Sequence, residues 1–442
     1  MKGLLLTYPI VFTAAIVSLR QPVIGLYVYV GLCMLRPEAL WGWAGGLQNM
    51  SRICGVPLLI GWAFQSFGSW RFGQARAIVI CLLGYSLWLT MSASQAIEQE
   101  GAWLTVFEFT KTLLPFLVGM TLIKSEKEAR IMLWVMVLCQ AYVALDMNRS
   151  YLTGYNRAHE EGFGGMDNNS FGISLLTTLG AALGLVLSAK SWITRTVAIG
   201  ATLLILHTIL LTFSRGAFVG MLAVGVSAIV ILPKKPKYLA VILIAVLIAV
   251  RLTGPELADR LGSTFASKEE RDGSSQSRLD LWRDCLTVII REPLFGVGPT
   301  GWGTAAEEFG WQKGKEAHSL WIETAAENGI PGLLFLMLFY GLTLKRLWPI
   351  ARRKIPSSDP TTSTFATGIM LSIIGFAASA QFVSLMGLEA PFYVTLVGAV
   401  LLKVKSVTDE VPSPAAASAF RKVTPGVRPA PLPARRSLAR PS

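Results

Sequence analysis

The sequence predicts an all-α polytopic membrane protein, and three observations carry that prediction. Of its 442 residues, 52% are hydrophobic and only 15% charged, whereas a water-soluble domain carries roughly 25% charged residues. Mean hydropathy is +0.52. Apolar runs near spanning length recur along the chain, and a helix needs about 20 such residues to cross a bilayer.

In chain order the candidate spans are 4–19, 22–36, 53–68, 75–93, 103–123, 131–149, 169–189, 193–213, 216–232, 237–253, 320–345, 364–386 and 388–403. The first three are short, and one of them is a candidate re-entrant or interfacial segment, so the expected total is about 12. Basic residues cluster between particular spans: Lys124, Lys127 and Arg130; Lys190 and Arg195; Lys234, Lys235 and Lys237; Arg346, Arg352, Arg353 and Lys354; Lys403, Lys405 and the tail. Short basic loops face the cytoplasm. That rule sends span 237–253 outward and brings 320–345 back, so the polar insert between them lies outside. Counting back by pairs of spans puts the 212–216 turn and the 149–168 segment on the same face. Three polar segments, distant in sequence, therefore converge.

Four regions follow: N-terminal transmembrane helices over 1–253, an outer loop with a helix over 254–319, C-terminal transmembrane helices over 320–404, and a basic cytoplasmic tail over 405–442. The tail is rich in Pro, Ala and Arg after Val411, a composition expected to stay disordered. Net charge is +13. The loops account for it through orientation, and no nucleic-acid motif accompanies it, so no nucleic-acid partner is expected. The five cysteines form no CxxC pair, which argues against a disulfide framework or zinc site. Lys2 with its apolar run lacks a small-x-small cleavage site and reads as a retained helix.

Within the insert, Gly273-Ser-Ser-Gln-Ser277 looks turn-like. Leu279, Trp282, Leu286 and Ile289 then follow a helical period, predicting an amphipathic helix over 278–291. Ser277 with Asp280 approximates a capping box. Pro293 and Gly296, Gly298, Gly301 and Gly303 are expected to end the helix in a flexible loop.

Few residues here can carry chemistry. His318 stands where span 320–345 begins. An imidazole titrates near neutrality and suits the removal of a proton from a sugar hydroxyl; the bland alternative is a hydrogen-bonded cap. Arg215 lies in Thr212-Phe-Ser-Arg-Gly216 between two spans. Its guanidinium fork matches diphosphate oxygens, although an interfacial arginine can also simply snorkel. Arg278, in the first turn of the insert helix, is the next candidate, followed by Arg283 and Arg291. Asp280 and Asp284 can neutralise any one of these. Arg157, in Asn156-Arg-Ala-His-Glu160, has Glu160 and Glu161 beside it. Glu108 and Lys111, three apart inside span 103–123, read as a structural pair, with proton-coupled transport as the rival explanation.

No Walker A loop, Rossmann fingerprint, HExxH or Asp-x-Asp pair occurs, so neither cofactor nor metal is expected. No nucleotide-binding domain fits the cytoplasmic loops. An activated donor must then arrive with the membrane, which points to a polyprenyl diphosphate.

Three motifs resemble a known family: Leu211-Thr-Phe-Ser-Arg-Gly216; Ser277-Arg-Leu-Asp-Leu-Trp-Arg283 running on to Arg291-Glu-Pro-Leu-Phe-Gly-Val-Gly-Pro299; and His318-Ser-Leu-Trp321 running on to Glu327-Asn-Gly-Ile-Pro-Gly332. They are similar to those of the O-antigen ligase/polymerase superfamily of bacterial envelope glycosyltransferases. Gly164-Gly-Met-Asp-Asn-Asn169 looks like the family's Gly/Asp/Asn element without its frequent proline. The resemblance spans roughly 75–400 and implies a GT-C-like membrane fold. By it, Arg215 and Arg278 correspond to diphosphate-binding arginines, with Arg157, Arg283 and Arg291 as further candidates, and His318 to the catalytic histidine. The implied donor is undecaprenyl-diphosphate-linked glycan, and the implied acceptor of a ligase is the lipid A–core sugar. Transfer would be metal-independent and inverting, on the periplasmic face of the bacterial inner membrane, by a monomer or weak oligomer among membrane lipids. O-antigen polymerases and protein O-oligosaccharyltransferases share the motifs and stay open. A lipid or polysaccharide transporter is the alternative of another class, though no internal repeat supports it.

Overall fold

In a bilayer every backbone polar group needs an internal partner, so a chain built of long apolar runs has the helix as its solution. The computed structural model of the chain describes residues 2–41, 50–232, 273–353, 359–385 and 387–410, and among them it is helical with no strand. The helices are α1 (Lys2–Ser18), α2 (Pro22–Leu35), α3 (Pro37–Trp41), α4 (Met50–Phe64), α5 (Arg76–Ala93), α6 (Gln99–Leu122), α7 (Glu126–Leu152), α8 (Arg157–Glu160), α9 (Asn168–Ser188), α10 (Trp192–Leu211), α11 (Arg215–Ile231), α12 (Gly273–Arg291), α13 (Trp302–Ala305), α14 (Leu320–Ala351), α15 (Pro360–Ser379) and α16 (Ala390–Glu410). Every candidate span within the described residues is occupied by a helix. Span 237–253, the start of the insert at 254–272 and the tail beyond 410 lie outside them.

Seven of the described helices are long and apolar enough to cross a membrane: α5 with its 3-10 start, α6, α7, α9, α10, α14 and α15 with its 3-10 extension. Shorter apolar helices occupy α1, α2, α4 and α11. The chain is an all-α polytopic membrane protein.

Small residues let the central helices approach. On α9, Gly180 and Gly184 face Gly368 and Ser372 of α15. A Cβ at Gly180 would come within 2.3 Å of the Ser372 backbone nitrogen, and one at Gly184 within 2.7 Å of the Gly368 Cα. This is the small-residue packing by which helices associate in lipid, where no hydrophobic drive separates protein from solvent.

Contacts between loops define two ends of the bundle. At one end Gln65 donates to the Arg20 carbonyl (3.1 Å), Arg130 to Ser188 (2.6 Å) and Lys403 to the carbonyls of Met120 and Ile123 (2.5 and 2.6 Å). This end holds the basic loops. At the other, Asn168 donates to the Thr212 carbonyl (3.0 Å), the Ile97 amide to the Val297 carbonyl (3.1 Å) and the Leu320 amide to the Val383 carbonyl (3.0 Å). The described parts of the three segments expected to converge meet at this second end. Glu108 and Lys111 pair directly on α6, with the ammonium 4.9 Å from the Phe107 ring centre.

Two local expectations need correction. The insert helix begins at Gly273, not after Ser277, so Gly273–Ser277 is helical and Ser277 does not cap it. Nor is the glycine-rich stretch after it a loose loop. It is laced to α14, which breaks at Gly329 (φ 67°, ψ 178°). The Val297 and Gly298 amides donate to the carbonyls of Ala326 and Glu327 (3.0 and 2.9 Å), and the Ile330 amide donates to that of Pro293 (2.8 Å). A Cβ at Gly329 would fall 2.1 Å from the Leu294 carbonyl oxygen, and the backbone there has the positive φ that only glycine adopts freely. The Pro-Leu-Phe-Gly-Val-Gly and Glu-Asn-Gly-Ile-Pro-Gly motifs are thus two halves of one joint.

Candidate active site

Arg215 is the first residue of α11. Ser214 before it caps the helix by accepting from the Ala217 amide (3.2 Å). The preceding turn is held from the 156–168 segment: Asn156 donates to the Leu211 carbonyl (2.9 Å), Asn168 to that of Thr212, and the His159 ring meets Phe213 edge-on at 5.1 Å. Phe213 takes a positive φ of 49°, a conformation that this surrounding structure must maintain. Arg215 therefore sits at the positive end of a helix dipole, where anions are favoured.

Arg278 comes from α12. That helix buries Leu281, Cys285 and Val288, four and three residues apart, against Trp302, Ala306 and Ala317. The face one turn earlier is thereby turned toward the bundle. Trp282 fixes the register further, because its indole N–H donates to the Ala317 carbonyl (2.9 Å).

His318 follows immediately. Its φ is 52°, and its amide donates to Ser384 Oγ (3.1 Å). Ser319 then caps α14 by accepting from the Ile322 amide (3.4 Å). The imidazole is 33% exposed, with Nδ1 3.7 Å from a Glu316 carboxylate oxygen. That separation is too long for a strong hydrogen bond.

The electrostatics tie these groups together. Burial, and then the charge of Arg215, hold the Arg278 guanidinium below its ordinary pKa. Burial, then Arg278, then Lys315 push the His318 imidazole down, with Asp167 acting against them. Burial and Asp167 raise the Glu316 carboxyl, while Lys315 opposes them. The charge of Arg215 thus bears on Arg278, beside an imidazole biased toward its neutral form. An anion with two charged oxygens suits a pair of guanidinium forks, and a neutral imidazole is ready to accept a proton.

The other candidates are paired or exposed. Arg157 pairs with Asp146 (2.9 Å) and Glu161 (3.1 Å). Arg291 pairs with Glu308 (3.2 Å) beside the Phe309 ring. Arg283 is exposed, five residues from Arg278 and so on a different face of α12. Asp284 accepts from the Trp311 indole (2.8 Å) instead of pairing with a neighbouring arginine. Residues that the sequence did not mark as functional also join the site. Lys315 and Glu316 lie three and two residues before His318 and could have been flagged by proximity, and Asp167 sits in the 164–169 element. Ser384 carries no such signal.

Residues 200–337 match the model of a family described as O-antigen ligase. Residues 1–154 match a family of unknown function. No curated protein matches the chain. Arg215, Arg278 and His318 all fall inside the first match.

Proposed function

We infer that this chain, which carries an O-antigen ligase-family domain over 200–337, transfers glycan from undecaprenyl diphosphate to the lipid A–core oligosaccharide in lipopolysaccharide synthesis. The single observation that supports this reading is the shared field of Arg215, Arg278 and His318 at the end opposite the basic loops. Positive-inside orientation makes that end the periplasmic face of a bacterial inner membrane. Residues 273–319 then bring Arg278 and His318 to that face.

In the proposed reaction the acceptor hydroxyl gives its proton to the His318 imidazole. Its oxygen attacks the anomeric carbon from the side opposite the diphosphate. The bond from that carbon to the diphosphate oxygen breaks, and the electron pair leaves with undecaprenyl diphosphate. Configuration inverts. Arg215 and Arg278 stabilise the charge that develops on the leaving group, a role metal ions fill in other transferases. A buried fork serves better than a point charge because it presents two donors in fixed geometry.

The test is transfer by purified protein in detergent, with lipid-linked glycan and each acceptor class in turn: lipid A–core, a growing glycan, and protein. His318→Ala is expected to lose about 10²–10⁴-fold, the range for removal of a positioned base, while remaining folded in the membrane. Near-normal transfer by that variant rejects the base assignment. Transfer only to a growing glycan or to protein keeps the chemistry and replaces the acceptor.

A further inference from the structure

We propose that Glu323 and Ser384 are positioning residues that hold the backbone of His318 at its amide and so aim its imidazole. Resting on the base assignment above, this goes beyond it by naming what holds the base.

Ala317 and His318 form the hub. The Ala317 carbonyl accepts from the Trp282 indole (2.9 Å). The His318 amide donates to Ser384 Oγ, and Ser384 in turn donates to Glu323 Oε2. One carboxylate is therefore tied to the amide of the base through a hydroxyl. Glu323 lies in the first turn of α14, reaching back over the helix start. It is only 8% exposed, and a buried carboxylate is tolerated only when its acceptor capacity is filled. The neighbouring Leu320 amide donates to the Val383 carbonyl (3.0 Å), so the 383–384 strip is fastened to the helix start at two adjacent points. The arrangement offsets a local cost. His318 holds φ at 52°, a region in which a side chain such as histidine is strained, and such strain persists only where surrounding structure enforces it.

Glu323 and Ser384 are placed to act through His318 and not on the donor diphosphate. Their loss is expected to reduce turnover and leave donor binding intact.

The experiment uses the full chain in detergent with undecaprenyl-diphosphate-linked glycan and the working acceptor. Ser384→Ala and Glu323→Gln are expected to lower kcat by about 10–100-fold, the scale of an ångström-level misplacement, with donor KM unchanged within about twofold. Ser384→Thr, which keeps the hydroxyl, should recover most of the lost turnover. Wild-type kcat in both Ser384→Ala and Glu323→Gln would overturn the proposal. A donor KM that rises as much as kcat falls, or a Ser384→Thr as slow as Ser384→Ala, would overturn it too, because either points to general loss of structure. The two layers separate cleanly. Full activity in His318→Ala removes the base assignment itself. An inactive His318→Ala beside an unimpaired Ser384→Ala removes only the clamp.

Discussion

Both ends of the bundle carry cations, and those of the candidate site differ from those of the basic-loop end. At the basic-loop end three cations have local partners, as Arg157 and Arg291 do at the other. Lys403 is received by two backbone carbonyls, Arg195 by the Ala189 carbonyl (2.9 Å), and Arg130 by Glu126 (2.7 Å), with its guanidinium 4.4 Å from the Phe365 ring centre. At the opposite end Arg215, Arg278 and Lys315 bear on one another or on His318. Matched charges orient a membrane protein and ask nothing of a ligand. Cations that bear on one another and on a base suit an anionic substrate. The same residue types thus read as topology at one end and as a site at the other.

The largest expected effect tests that contrast directly. Arg278→Lys should lower transfer by about 10²–10³-fold, the range for losing a preorganised donor to developing charge, because an ammonium keeps the charge but loses the fork. Arg130→Lys at the other end is the control and should transfer at the wild-type rate. Steady-state transfer by the two purified variants decides the matter. Equal activities would erase the distinction between the ends.

A smaller effect sharpens it. Trp282 and Arg278 are one turn apart on α12, and the Trp282 indole is bonded to the residue before His318. That link joins the fork to the base. Trp282→Phe keeps the apolar volume and drops the N–H. It should lower kcat about 10-fold, less than the full cost of a misplaced reacting group, with the protein still monodisperse in detergent. An unchanged kcat would mean that packing of Leu281, Cys285 and Val288 alone sets the register of α12.

How far the chain disclosed this arrangement depends on what enforces each part. The spans were legible because a bilayer imposes length and apolarity residue by residue, and α9, 168–188, differs from its expected 169–189 by one residue at each end. The start of α12 was not. Gly273 and Ser274 have turn-like composition, yet each disfavours helix by no more than about 1 kcal/mol, and the packing of the next turns on Trp302 and Ala306 outweighs that. The break at Gly329 was present in the letters Asn-Gly-Ile-Pro-Gly but could not be assigned, because its partner, the Pro293–Gly298 stretch, lies some thirty residues upstream. Arg215, Arg278 and His318 stood out by type, and topology alone put them on one side. Ser384 did not stand out. A lone serine 66 residues from the base has no periodicity and no charge to betray it.

The smallest expected effect lies in the pH profile, and it separates charge from shape within the site. Protonated His318 cannot accept a proton, so transfer falls as pH drops through the pKa of the imidazole. Burial, Arg278 and Lys315 hold that pKa below its ordinary value, while Asp167 opposes them; the acid limb therefore lies on the acid side of the ordinary histidine value of about 6.5. Lys315→Gln removes a repelling cation, stabilises the imidazolium and moves the acid limb to higher pH. Asp167→Asn removes a stabilising anion and moves it to lower pH. Asp167 also caps α9 by accepting from the Ser170 amide (2.8 Å), and asparagine caps a helix about as well, so the fold is preserved while the charge is lost. The plateau rate at alkaline pH should stay near wild type in both variants. Shifts in the same direction, or an acid limb that ignores both substitutions, would show that the group titrating in the profile is not the one at 318.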